Sequence, residues 1–216
     1  MAKLYVMDVA PLMNGAWEAL LPLLSPWRQQ RVISCRHDAD RARLTGAGWL
    51  LRHSLEEVGI PAARQQMTTG PYGKPCLASG AVEFSLSHSG SWAVCALDRA
   101  PVGVDVERPR CSMATARRFF APAEVAALEA LPEYARPDAL LRLWTAKEAF
   151  SKAVGAGLTL GLHTFTVTLT AQGATLSQQE SPLPFRLEEY TLPGHRICLC
   201  TTGERPILSY IAPPRR

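Results

Sequence analysis

Asp105 and Glu107 lie two residues apart in "PVGVDVERPR", residues 101–110, an otherwise valine-rich run. Side chains alternate faces along a strand, so these two carboxylates share one face while Val104 and Val106 take the other. Like charges at that spacing repel unless something positive lies between them. Taken alone, the pair fits a solvent-facing acidic rim as well as a cation site. A third carboxylate, Glu148, stands in "LLRLWTAKEAFSKAVGAGL", residues 140–158. There Leu140, Leu143, Trp144, Phe150 and Val154 form an apolar stripe at helical spacing, and Glu148 lies midway between Trp144 and Lys152 along one edge of it. Taken alone, Glu148 and Lys152 fit an ordinary surface ion pair, with Lys147 snorkelling out of the stripe. The two acidic stretches explain each other better. Asp105, Glu107 and Glu148 make an all-oxygen donor set that requires a cation. Such hard ligands favour magnesium, or manganese in its place, with positions left for water and phosphate. Lys152, one turn beyond Glu148, then reaches the same phosphates, which suits phosphoryl or pyrophosphate chemistry.

These residues must be positioned by elements that the sequence outlines. A strand is expected over residues 3–9 and helical spacing over 14–24, with Ser25-Pro26 opening a further helix. Leu44, Ala47, Leu51, Leu55 and Val58 mark a long amphipathic helix from Asp38 that Gly59 and Pro61 end. "TTGPYGKP", residues 68–75, reads as a loop. Residues 81–97 read as a β-hairpin turned by "SHSGS", with Val82, Phe84 and Leu86 on one face and Glu83, Ser85 and Ser87 on the other. Residues 101–107 form the carboxylate strand. Helices follow over 112–131 and 138–154, then strands near 163–170, 185–191, 196–201 and 207–211, and a frayed "APPRR" tail. Each half runs helices and then a small antiparallel sheet, which argues α+β.

The totals fit this outline. The 216 residues suffice for one large domain or two small ones, here 1–102 and 103–216, and hydrophobic content of 47% with 19% charged residues describes a globular chain. The net charge of +4 is spread evenly, with no basic stripe for nucleic acid and no apolar run long enough for a membrane span. The N-terminus lacks the pattern of an export signal, and none of the six cysteines forms a C-x-x-C pair. The expectation is a cytoplasmic protein with reduced thiols.

"GVDVE" at 103–107 followed by "WTAKEAFSK" at 144–152 resembles the signature pair of the 4'-phosphopantetheinyl transferases. "SPWRQQR" at 25–31, "GPYGKPCL" at 70–77 and "FSLSHSG" at 84–90 extend the resemblance to the surfactin-synthetase-activating type, in that family's order. The resemblance implies two similar α+β halves packed as an intramolecular pseudo-dimer, monomeric, with the ligand between them. It implies transfer of phosphopantetheine from coenzyme A to a serine of an apo acyl or peptidyl carrier protein, leaving 3',5'-ADP. It places Asp105, Glu107 and Glu148 on magnesium and the pyrophosphate. Glu148 is then the base for the serine hydroxyl, directly or through a water, because a metal-bound carboxylate is a weak base. Lys152 stabilises charge on the pyrophosphate, and Lys74, Ser87 and His88 contact coenzyme A. Arg28 and Arg31 stand where close relatives have lysines at the nucleotide end, and Leu44 stands where one has a hydroxyl residue. Met113, Phe119 and Phe120 are candidate carrier contacts, although the two phenylalanines suit a core equally well. Two other classes remain: a metal-dependent phosphohydrolase acting on coenzyme A or a nucleotide, and a module that binds coenzyme A without transfer.

Overall fold

The computed structural model describes residues 1–204 and 206–214; Arg215 and Arg216 of the expected tail lie outside them. In chain order the elements begin with strand β1 (Lys3–Asp8), helices α1 (Pro26–Ile33) and α2 (Asp38–Glu57), and strands β2 (Met67–Thr69), β3 (Pro75–Leu77), β4 (Glu83–Ser89), β5 (Trp92–Asp98) and β6 (Gly103–Glu107). Helices α3 (Met113–Phe119), α4 (Pro122–Ala130) and α5 (Arg136–Val154) follow, then strands β7 (Thr166–Thr170), β8 (Gly173–Ser177), β9 (Arg186–Leu192), β10 (His195–Thr201) and β11 (Ile207–Tyr210).

Several boundaries follow from local chemistry. Pro26 occupies the first turn of α1, where its missing N–H costs nothing. The expected single helix over 112–131 is two, because Ala121 precedes Pro122 and is held extended. Residues 14–24 form short 3-10 turns rather than an α-helix: Pro22 interrupts the region, and Asn14 and Gly15 adopt positive φ. Asp38, at the start of α2, holds that segment by accepting hydrogen bonds from the Asn14 and Gly15 amides and from Trp17 Nε1.

The sheets have the orders β11-β1-β5-β4 and β6-β10-β9. Their facing sides share an apolar core in which Leu4, Val6, Val94 and Ala96 meet Val104, Val106, Ile197 and Leu199. On its outer side the first sheet packs Tyr5, Met7 and Cys95 against Leu50, Leu51 and Leu55 of α2. The second packs Cys198 and Cys200 against α5 residues such as Leu143 and Phe150. Helix, sheet, sheet, helix is the α+β arrangement of two like halves. The chain crosses over once at its end, where β11 joins the first sheet parallel to β1.

Gly103 brings β6 close to α5. A Cβ there would fall 2.0 Å from the Ala149 carbonyl oxygen and 2.4 Å from the Ala153 nitrogen, so no larger residue permits this approach.

Candidate active site

The face alternation read in residues 103–107 holds. Val104 and Val106 are fully buried between the sheets, whereas Asp105 and Glu107 line a cleft of about 1040 Å³ between the halves. Arg28, Arg31, Leu44, Lys74, Ser87 and His88 line the same cleft, as do Glu148 and Lys152 from α5. Stretches separated by more than a hundred residues therefore converge on one space.

Lys152 does not pair with Glu148. Its Nζ donates to Asp105 Oδ1 at 2.7 Å and to the Val104 carbonyl at 3.1 Å, which ties α5 to β6. Ser87 donates to the same Asp105 oxygen at 2.7 Å. Asp105 is 4% exposed, and its other oxygen, Oδ2, is buried without a hydrogen-bond partner. Glu107 accepts a hydrogen bond from Ser89 at 2.7 Å and is paired with Arg110. The Ser85 hydroxyl accepts from the Val104 amide at 3.0 Å, so a row of three serines on β4 clasps β6. Glu148 has no hydrogen-bond or ion-pair partner among the described residues. Burial raises its pKa, and the negative charges of Asp105 and Glu107 raise it further, against the pull of Lys152.

Among the described residues, no three His, Cys, Asp or Glu side chains are gathered into a ready metal cage. Lysine and arginine neutralise Asp105 and Glu107 instead. The donor set nevertheless fits a divalent cation. An orphaned buried carboxylate oxygen and a desolvated glutamate among like charges are both relieved by added positive charge, and all three groups offer hard oxygen.

The basic residues that the first half contributes to the cleft differ in character. Arg28 is 9% exposed and forms no hydrogen bond or ion pair with a described residue; burial, then the charge of Arg31, lowers its pKa to about 10. Arg31 is exposed and lies over the Trp27 ring, 4.9 Å from its centroid. Burial, aided by the charges of Arg43, Lys152 and Arg28, pushes His88 down to about 4, so it is a neutral imidazole at pH 7. Lys74 donates to the Val102 carbonyl at 3.1 Å and lies 3.5 Å from Glu83; burial lowers its pKa.

Phe120 is core, while Phe119 is partly exposed on the cleft wall and Met113 packs on the second core. Lys147 does not snorkel. It is wholly buried, 2.8 Å from Glu124, and donates to the Leu162 and Phe165 carbonyls. Arg110, Arg118 and His163 also line the cleft. Nothing in their spacing marks them, since the cleft is assembled from distant segments.

Comparison with known proteins agrees with the sequence signature. The family model described as "4'-phosphopantetheinyl transferase superfamily" matches residues 101–200. The chain is 30% identical over 195 residues to the 4'-phosphopantetheinyl transferase Sfp of Bacillus subtilis, spanning 88% of this chain and 87% of that one. It is 34% identical over 208 residues to the 4'-phosphopantetheinyl transferase psf-1 of Bacillus pumilus, spanning 92% and 89%. Among solved structures it is similar to the holo-[acyl-carrier-protein] synthase of Thermotoga maritima, with 19% identity and a TM-score of 0.41 over 47% of this chain and 61% of that one. The chain belongs to the 4'-phosphopantetheinyl transferase superfamily, and its likeness to the two Bacillus proteins along almost its whole length places it in the surfactin-synthetase-activating type.

Proposed function

We propose that this enzyme transfers 4'-phosphopantetheine from coenzyme A to a serine of an acyl or peptidyl carrier protein, with magnesium, releasing 3',5'-ADP. The observation that carries this reading is the convergence of three carboxylates, Lys152 and the buried Arg28 on one cleft. Residues 1–102 and 103–216 supply the two walls, so the monomer contains a whole site. The six cysteines are free thiols, which suits a reducing, cytoplasmic compartment.

Asp105, Glu107 and Glu148 would hold the magnesium ion, which would supply positive charge to neutralise the pyrophosphate. Lys152, anchored on Asp105, directs its positive charge toward the same oxygens and stabilises the departing 3',5'-ADP. Glu148 receives the proton of the carrier serine, directly or through a water, as the serine oxygen bonds to the β-phosphorus and the pyrophosphate P–O bond breaks. Its raised affinity for protons before the cation binds is consistent with that task. Ser87 orients Asp105 from the other half and, with Lys74, borders coenzyme A. Arg28, Arg31 and His88 receive the 3'-phosphate, the arginines as charged donors and His88 as a neutral one. Most of the acceleration then comes from positioning and electrostatics.

The test is to incubate the protein with coenzyme A, magnesium and an apo carrier protein and to weigh the carrier. A gain of one phosphopantetheine arm supports transfer. An unchanged carrier with hydrolysed coenzyme A identifies a phosphohydrolase, and intact coenzyme A identifies a binding module.

A further inference from the structure

Arg28 is a buried cation with no carboxylate beside it, and such a group is costly unless an anion arrives to pair with it. Arg28 lines the cleft and also, with Gly48 of α2, a smaller pocket of about 200 Å³, and its side chain lies directly against Gly48. A Cβ at Gly48 would lie 2.2 Å from Arg28 Cδ, 3.2 Å from Arg28 Nε and 3.1 Å from Leu24 Cδ2. Contacts below 3 Å force a shift, and the residue that would have to move is the arginine. Gly48 lies inside a 20-residue helix, where glycine is disfavoured relative to alanine. It is not among the glycines at positive φ, so the backbone does not require it. What the position requires is the absence of a side chain, because Arg28 fills the place a Cβ would take.

We propose that Gly48 is a positioning and specificity-determining residue: its missing Cβ seats Arg28 where the guanidinium meets the 3'-phosphate monoester of coenzyme A, and so selects that ligand over its 3'-dephospho form. This rests on the reading of Arg28 given above. Gly48 touches no ligand itself; it acts through the arginine. An arginine can hold a phosphate with two parallel donors, which makes its exact placement matter more than its charge alone.

The test is calorimetric binding of coenzyme A and of 3'-dephospho-coenzyme A to the wild type, Gly48→Ala, Arg28→Ala and the double variant. The wild type should prefer coenzyme A, and Gly48→Ala should reduce that preference by about tenfold or more, the share of one charge-assisted hydrogen bond. Affinity for the dephospho form should change little, and the double variant should lose no more preference than Arg28→Ala alone. A change of packing alone moves both ligands together, so an equal loss for both, or a full preference in Gly48→Ala, overturns the proposal while Arg28→Ala still loses it. If Arg28→Ala itself keeps the full preference, the reading of Arg28 fails and the proposal falls with it. Leu24→Ala/Gly48→Ala removes the other close contact but keeps the clash with Arg28. It must show the same loss of preference, including where Gly48→Ala alone folds poorly.

Discussion

Lys152 Nζ and Asp105 Oδ1 lie 2.7 Å apart across the junction of α5 and β6. The lysine comes from the helix that carries Glu148 and the aspartate from the strand that carries Glu107, so one ion pair joins the two elements that carry all three carboxylates. It also leaves Asp105 Oδ2 free. On the proposed mechanism Lys152→Ala removes the charge that stabilises the leaving group, so kcat should fall about 10²–10³-fold, with a smaller change in KM for coenzyme A. Steady-state kinetics checks this; a kcat near that of the wild type contradicts it.

His88 gives a dependence on pH. Its pKa lies at about 4 in the folded protein against an ordinary value of 6.5. Between those values the unfolded chain binds a proton that the folded protein does not, so stability is fully present above about pH 6.5 and is lost as pH falls toward 4. His88→Gln should flatten that slope. Urea denaturation at several pH values across this window measures it, and an unchanged slope contradicts the burial of a neutral imidazole.

The Glu124–Lys147 pair should matter for stability rather than chemistry. Both groups are buried, and Glu124 also accepts from the Ala121 and Val167 amides. Glu124→Ala leaves Lys147 as an unpaired buried charge and should cost about 3–5 kcal/mol. Glu124→Leu/Lys147→Met should cost less than the two single changes added together. Denaturant titration of the wild type and these four variants decides it.

Val106 tests the face assignment of the carboxylate strand. It is fully buried between the two sheets, so Val106→Asp should destabilise by roughly several kcal/mol, the effective cost of a buried unpaired charge. A variant that melts like the wild type would place this face in solvent.

The legible parts of the fold were those with strong local signals. The 3.6-residue stripes gave α2 and α5, the glycine-containing turn gave the β4–β5 hairpin, and the two-residue alternation put Asp105 and Glu107 opposite Val104 and Val106. The parts that were not legible depend on distant partners. The three-residue strands β2 and β3 are too short to carry a period, β8 carries no signal that separates it from its neighbours, and the pairing of β11 with β1 joins opposite ends of the chain. Lys147 is buried because Glu124 meets it, and Lys152 turns to Asp105 rather than to Glu148 because Gly103 lets the strand lie against the helix. No local pattern encodes either choice.

If the carboxylate set acts through a divalent cation, phosphopantetheine transfer requires both together. The most direct measurement is the intact mass of an apo carrier protein after incubation with coenzyme A, for the wild type with magnesium, the wild type in excess chelator, and folded Asp105→Ala and Glu148→Gln with magnesium. A gain of one phosphopantetheine arm is expected in the first sample only. A full gain in chelator, or with Asp105→Ala, would contradict it.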